Sequence, residues 1–126
     1  MKLADGIRQH GFRKWYEREL LRGHSHLAAV LMCALGLMMA LEAASRFNSL
    51  ADQVIDAVAV IACSSVGLWA LRRYLYLLMR AEYLANQADC PACKAYGRLA
   101  LLDPKAQGDA VDVRCRGCGH AWRIDD

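Results

Sequence analysis

The chain has 126 residues, 56% of them hydrophobic but only 8% aromatic, a length that accommodates one compact domain or two very small units and excludes a large catalytic fold. A formal charge of +3 is too weak for a polybasic nucleic-acid binder, and the apolar content is too high for a disordered chain. The apolar excess over the roughly 45–50% of ordinary soluble proteins is concentrated in two blocks, which points to a membrane.

From the N-terminus, Ile7 to Leu21 reads as an amphipathic helix. Ile7, Phe12, Trp15, Tyr16 and Leu20 gather on one side, while Arg8, Arg13, Lys14 and Arg18 stay solvated. Such a helix suits the cytoplasmic membrane surface, and residues 1–25 are assigned to it. The first apolar block, His26 to Ala44, carries no charge between Leu27 and Leu41 and meets the lower length limit for a bilayer-crossing helix. A buried hairpin of a soluble bundle would instead need polar stripes at helical spacing, and this block has none. A cleaved signal peptide is a further rival, because Ala40 to Ser45 supplies small residues, but it leaves the second block unexplained.

A short connector, residues 45–52, joins this block to a second one ending at Arg72–Arg73. The reading is therefore a two-span antiparallel transmembrane hairpin over residues 26–71, with spans of about 26–44 and 53–71. Lys2, Arg8, Arg13, Lys14, Arg18 and Arg22 precede it, Arg72, Arg73 and Arg80 follow it, and the connector has Arg46 alone. The positive-inside rule then puts both termini in the cytoplasm of a bacterial inner membrane, with only about residues 45–53 on the other side. Residues 72–88, free of Gly and Pro, extend the second helix as a stalk.

Within the spans, Ala28, Met32, Gly36, Ala40 and Ala44 recur every fourth residue, as do Ala59, Cys63 and Gly67. Small residues at this period let helix backbones approach, which predicts Gly36 and Gly67 at the hairpin interface. Cys33 and Cys63 with Met32, Met38 and Met39 would have the ligand softness of a copper site, but residues of these types also fill buried gaps. Glu42 and Asp56 lie near the non-cytoplasmic ends, within reach of Arg46 or water. His24 and His26 flank the cytoplasmic end of the first span, and the second span has no histidine to complete a haem pair.

Beyond the stalk, Cys90-Pro-Ala-Cys93 and Cys115-Arg-Gly-Cys118 are separated by twenty-one residues. Two such knuckles can close a tetrahedral shell of thiolates around one metal ion. Gly119 permits the positive φ that follows a knuckle, whereas the equivalent place after Cys93 holds Lys94 and predicts a strained turn. Tyr96 to Leu102, Val111 to Arg114 and Ala121 to Ile124 are strand-like, with turn chemistry from Asp103 to Asp109. This region, about residues 88–125, resembles the zinc-ribbon superfamily, particularly short bacterial ribbons of the pattern C-P-x-C…V-x-C-x-x-C-G-H-x-W. The resemblance implies a small β zinc ribbon at residues 89–126, with Cys90, Cys93, Cys115 and Cys118 as ligands of a structural Zn²⁺ and Trp122 as a packing residue beside Tyr96, Leu99, Leu101 and Ile124. Iron is the chemical alternative for four thiolates, disulfides conflict with a cytoplasmic ribbon, thioredoxin-like chemistry would use one C-x-x-C in a βαβ unit, and His120 follows a complete ligand set.

Six basic and six acidic residues share the chain from Asp89 onward, a balance that argues against nucleic acid as a partner. No nucleophile–base pair or open metal position indicates an enzyme, and no small-molecule substrate is evident. The expectation is a mainly α membrane protein, partnered by the bilayer and by other membrane protein subunits, acting as a non-enzymatic accessory, assembly or stabilising subunit. The alternative is a membrane-tethered metal or redox sensor built on the four-cysteine site.

Overall fold

The computed structural model describes residues 2–46, 49–103 and 109–126. Two long helices are followed by a small sheet: α1 (Leu3–Ala44), α2 (Leu50–Gln87), β1 (Leu99–Leu101), β2 (Ala110–Cys115) and β3 (Ala121–Asp125). They form two compact units, one of Met1–Leu21 with Leu77–Asp126, here called the head, and one of Arg22–Tyr76, the hairpin.

Both helices are long and apolar enough to cross a membrane. In the hairpin they pack through small residues. A Cβ built on Gly36 would lie 3.3 Å from Cys63 Sγ, and one on Gly67 would lie 3.3 Å from Cys33 Cβ, so both glycines sit where expected. The four-residue ladder does not hold along its length, however. Ala28, Met32 and Ala44 are exposed, because a strict four-residue row drifts around a helix of 3.6 residues per turn. The half-buried face of α1 in the hairpin instead runs through His26, Ala29, Val30, Cys33, Gly36, Leu37, Ala40 and Ala43. Leu31, Met32, Leu35, Met38, Met39, Ile55, Val58, Ile61, Leu68 and Trp69 are all exposed, so the outer surface of the hairpin is apolar.

The ends of the hairpin helices follow from local chemistry. Ser49 caps α2, its Oγ accepting the Asp52 backbone N–H at 3.1 Å while donating to Asp52 Oδ2 at 2.7 Å, so the hydroxyl satisfies one of the free N–H groups of the first turn. At the end of α1 the Arg46 N–H returns to the Ala43 carbonyl at 2.9 Å, and its guanidinium meets Glu42 at 3.2 Å. The rest of the connector, residues 47–48, lies outside the described residues.

The head departs from the sequence reading. Ile7, Phe12 and Trp15, the apolar face expected on the membrane surface, are buried. They join Leu3, Ala4, Leu84, Ala88, Leu99, Val111, Val113 and Ile124 in one core, with Tyr16, Leu101 and Trp122 packed against it. An amphipathic face records only that something covers it; here the sheet and the end of α2 do. The core is correspondingly larger than the ribbon alone could supply, and Tyr96, expected inside it, is 56% exposed.

The N-terminal helix is also not continuous. Gly11 has φ 79° and ψ 160°, which breaks α1, and glycine adopts that φ without the penalty a Cβ imposes. In an unbroken helix Gly6 and Trp15 would be about 13 Å apart along the axis. Instead, a Cβ on Gly6 would fall 2.0 Å from Trp15 Cδ1. The first turns have folded back onto the helix that follows, which lets Leu3 and Ile7 reach the same core as Phe12 and Trp15.

The sheet is antiparallel in the order β1-β2-β3. In β2 alternate residues Val111, Val113 and Cys115 point inward, the period-two pattern of a strand with one covered face. The turn expected from Asp103 to Asp109 falls mostly on residues 104–108, outside the described residues. Gln87, at the end of α2, fastens the sheet edge: its side-chain amide donates to the Asp125 carbonyl and accepts the Asp125 N–H, each at 3.0 Å. Its own carbonyl accepts the Trp122 indole N–H at 2.9 Å. Deeper in the head, Arg80 pairs with Glu19, which is 5% exposed, and with Asp126.

Candidate metal centre

Cys90, Cys93, Cys115 and Cys118 converge, with all four Sγ atoms within 4.8 Å of one another. The Cys90–Cys118 and Cys93–Cys115 sulfurs are 3.4 Å and 3.6 Å apart. A zinc tetrathiolate with bonds of about 2.3 Å has sulfurs about 3.8 Å apart, so the four thiols already stand close to the edges of such a tetrahedron. The two C-x-x-C pairs that the spacing singled out are thus brought together in one cluster.

The two knuckles are built alike. In the first, the Cys90 N–H donates to the Ala95 carbonyl at 3.1 Å and the Lys94 N–H to the Cys90 carbonyl at 2.9 Å. In the second, the Cys115 N–H donates to the His120 carbonyl at 2.8 Å and the Gly119 N–H to the Cys115 carbonyl at 3.1 Å. Lys94 at φ 60° occupies the place of Gly119 at φ 77°, so the strained turn predicted after Cys93 is present. Lys94 is also the one positive-φ residue other than glycine among the described residues. Arg116 N–H to the Arg98 carbonyl, at 2.9 Å, and the Asp89–Tyr96 bridge tie the knuckles to their flanking segments.

Electrostatics favour a cation at the centre. The backbone N–H of Cys93 holds the Cys90 thiol below its ordinary value against the cost of burial, with help from the Ala92 N–H. The N–H groups of Cys118 and Gly117 draw Cys115 down to about 6, again against burial; the Gly117 N–H lies 3.3 Å from that sulfur. The Ala95 N–H likewise favours the Cys93 thiolate, but hydrogen bonds from its thiol to Cys118, Cys115 and Cys90 outweigh this and push it up to about 12. The thiolate is thus favoured at Cys90 and Cys115 and the thiol at Cys93, because neighbouring thiolates this close repel one another. A divalent ion held by Cys90, Cys93, Cys115 and Cys118 would take the place of the remaining protons and satisfy all four sulfurs at once.

Other sequence candidates are not drawn into this site. The His120 ring stacks with Trp122 at 6.4 Å, and its part in the knuckle is its backbone carbonyl. Cys33 and Cys63 face the hairpin interface, whereas Met32, Met38 and Met39 point outward, 68%, 68% and 71% exposed; the sulfur ligands of a copper site are not brought together. His26 donates from Nδ1 to the Arg22 carbonyl at 2.8 Å and lies against Trp69. The spacing of cysteines could not reveal the role of the α1 segment, which lies far away in sequence, or that of Gln87, whose partners Trp122 and Asp125 are on the distant β3. No protein-family model, curated protein or solved structure matches this chain.

Proposed function

We propose that this chain is a non-enzymatic, membrane-anchored zinc-ribbon protein, serving as an accessory, assembly or stabilising subunit of a larger complex in a bacterial inner membrane. The observation that carries the reading is the opposite placement of apolar side chains in the two units. The hairpin exposes Leu, Ile, Val and Met over its outer surface, while the head buries its own. A soluble protein rarely exposes so extensive an apolar surface, and helices with all backbone groups internally paired are what a bilayer accepts. Trp69, Tyr74 and Tyr76, together with Arg22, Arg72 and Arg73, supply the aromatic and cationic residues typical of a membrane boundary. The bias of Lys and Arg toward both ends supports cytoplasmic termini, and the head then serves as the docking module there.

Zinc fits the four-thiolate set best in a reducing compartment, with a closed shell that leaves no position for substrate. When bound, it supplies folding energy rather than chemistry. Resistance of the chain to alkaline extraction from membranes, followed by purification in mild detergent with identification of co-purifying membrane proteins, tests the reading. A chain recovered in the soluble fraction overturns the anchor; a stably monomeric chain without partners overturns the subunit role. Activity of a periplasm-only reporter fused after Asp126 overturns the topology.

The exposure of Cys93 and Cys118 favours one second reading, a redox sensor. Peroxide would be reduced to water as two thiolates join in a disulfide and zinc is released. Reversible release under mild peroxide together with altered partner binding would select this reading over a purely structural site.

A further inference from the structure

A concavity lies in the head, beside the segment that follows the first knuckle and lined by none of the four cysteines. It encloses about 320 Å³ and is lined by Phe12, Arg13 and Tyr16 from α1 and by Tyr96, Gly97 and Arg98 from the segment after the first knuckle. The volume is at the low end for small-ligand sites, roughly 300–1,000 Å³. Its apolar surface is aromatic. Phe12 is buried and stacks on Tyr16 at 6.3 Å, while Tyr96 meets Phe12 edge-on at 6.3 Å. Partial desolvation pushes the Tyr96 phenol up although much of the ring is exposed, with Tyr16 and Asp89 adding to the effect.

Its charge is cationic and uncommitted. Neither the Arg13 nor the Arg98 guanidinium has an ion-pair or hydrogen-bond partner among the described residues. The charge balance along the ribbon sequence hides this, because Arg13 reaches the site from the other end of the chain. Two guanidinium groups present forked donors suited to phosphate or carboxylate, and aromatic faces suit a flat ring. We propose that this pocket binds a small organic anion in which a planar ring is joined to a phosphate or carboxylate, of the kind a nucleoside monophosphate represents.

The test uses the full, zinc-loaded chain in zwitterionic lipid nanodiscs, with calorimetric titration of adenosine monophosphate, adenosine and inorganic phosphate. Adenosine monophosphate should bind with a Kd below about 1 mM, and its two halves at least about tenfold more weakly, since each supplies part of the recognition. Arg13→Gln and Arg98→Gln should each weaken binding about tenfold or more, and Tyr96→Leu several-fold. Both arginines are exposed, so zinc content and Trp15 fluorescence should be unchanged in those variants, which separates loss of the site from loss of the head. Absence of binding at 1 mM, binding that survives both arginine variants, or phosphate binding as tightly as the nucleotide would each overturn the proposal. So would loss of nucleotide binding on changing to phosphatidylglycerol nanodiscs, which would identify a lipid headgroup as the occupant.

Discussion

The helix α2 serves two different surroundings. Through the hairpin it exposes Ile55, Val58, Ile61, Leu68 and Trp69; in the head the same helix buries Leu77, Ala81 and Leu84, with Ala88 just beyond its end. Nothing in backbone geometry distinguishes the two stretches. What differs is what covers them: in the head a sheet and the α1 segment converge on one core, whereas the hairpin has only its partner helix. A helix in the hairpin satisfies its own backbone hydrogen bonds. The head must order loops, knuckles and a three-residue strand, with conformational entropy of about 1–2 kcal/mol per residue opposing it. The two units should therefore answer very differently to the same kind of insult.

Metal removal should separate them most. Zinc binding by small thiolate domains is worth on the order of 10–16 kcal/mol, as large as the whole stability of a typical domain. Chelation, or Cys115→Ser, should unfold the head while the hairpin keeps its helicity and, on the proposed reading, its place in the membrane. Because Ile7, Phe12 and Trp15 share the ribbon's core, the cleavage sites opened to protease should include residues 3–21 as well as 88–126. Limited proteolysis with mass spectrometry checks this. Protection of the N-terminal segment in the metal-free protein would show that it packs independently of the ribbon.

Two tryptophans sharpen the contrast. Trp15 is 1% exposed and Trp69 63%. Trp15→Ala should cost the head about 3–5 kcal/mol, visible as a lower midpoint in chemical denaturation and as faster zinc loss. Trp69→Ala should leave that transition unchanged and, on the proposed membrane reading, act only on how the hairpin associates with lipid. Equal effects on head stability would erase the distinction between the two units.

The cysteines, the strands around them and the two glycines between the helices were legible because each signal is local: a knuckle is four residues long, and a close helix approach needs small side chains on its own face. The cover for Ile7, Phe12 and Trp15 was not. A hydrophobic face facing lipid and one facing a sheet have the same periodicity, so the sequence named the face and misassigned its partner. Gly11 gave no sign that it breaks a helix, since glycine within a helical pattern is often tolerated. The pairing of Arg13 with Arg98 across one pocket depends on that same packing and was equally hidden.

The glycines test the comparison at smaller scale. Alanine in place of a helical glycine gains about 1 kcal/mol of helix propensity. At Gly36 the new methyl would meet Cys63 Sγ at 3.3 Å, a contact that a small shift relieves, so Gly36→Ala should be close to neutral. At Gly6 it would fall 2.0 Å from Trp15 Cδ1, within the indole ring's own volume. Overpacking of this kind costs about 1–3 kcal/mol, so Gly6→Ala should destabilise the head despite the propensity gain. A Gly6→Ala protein as stable as wild type would mean that the first turns do not fold back on Trp15.

The smallest effect distinguishes the two knuckles within the head. Lys94 and Gly119 hold the same backbone conformation, at φ 60° and φ 77°, and each donates its N–H to the first cysteine of its knuckle. A side chain in the left-handed region costs about 1–2 kcal/mol, while glycine loses about 0.5–1 kcal/mol more than alanine in conformational entropy on folding. For Lys94→Gly the two terms oppose, and relief of strain leads: the head should gain up to about 1 kcal/mol, read as slower zinc transfer to a chelator. For Gly119→Ala the steric term leads with the opposite sign, and zinc transfer should accelerate; open space around the Gly119 Cβ position leaves backbone strain as the cause. If Lys94→Gly instead speeds zinc loss, the Lys94 side chain contributes to the knuckle something that its strained backbone conceals.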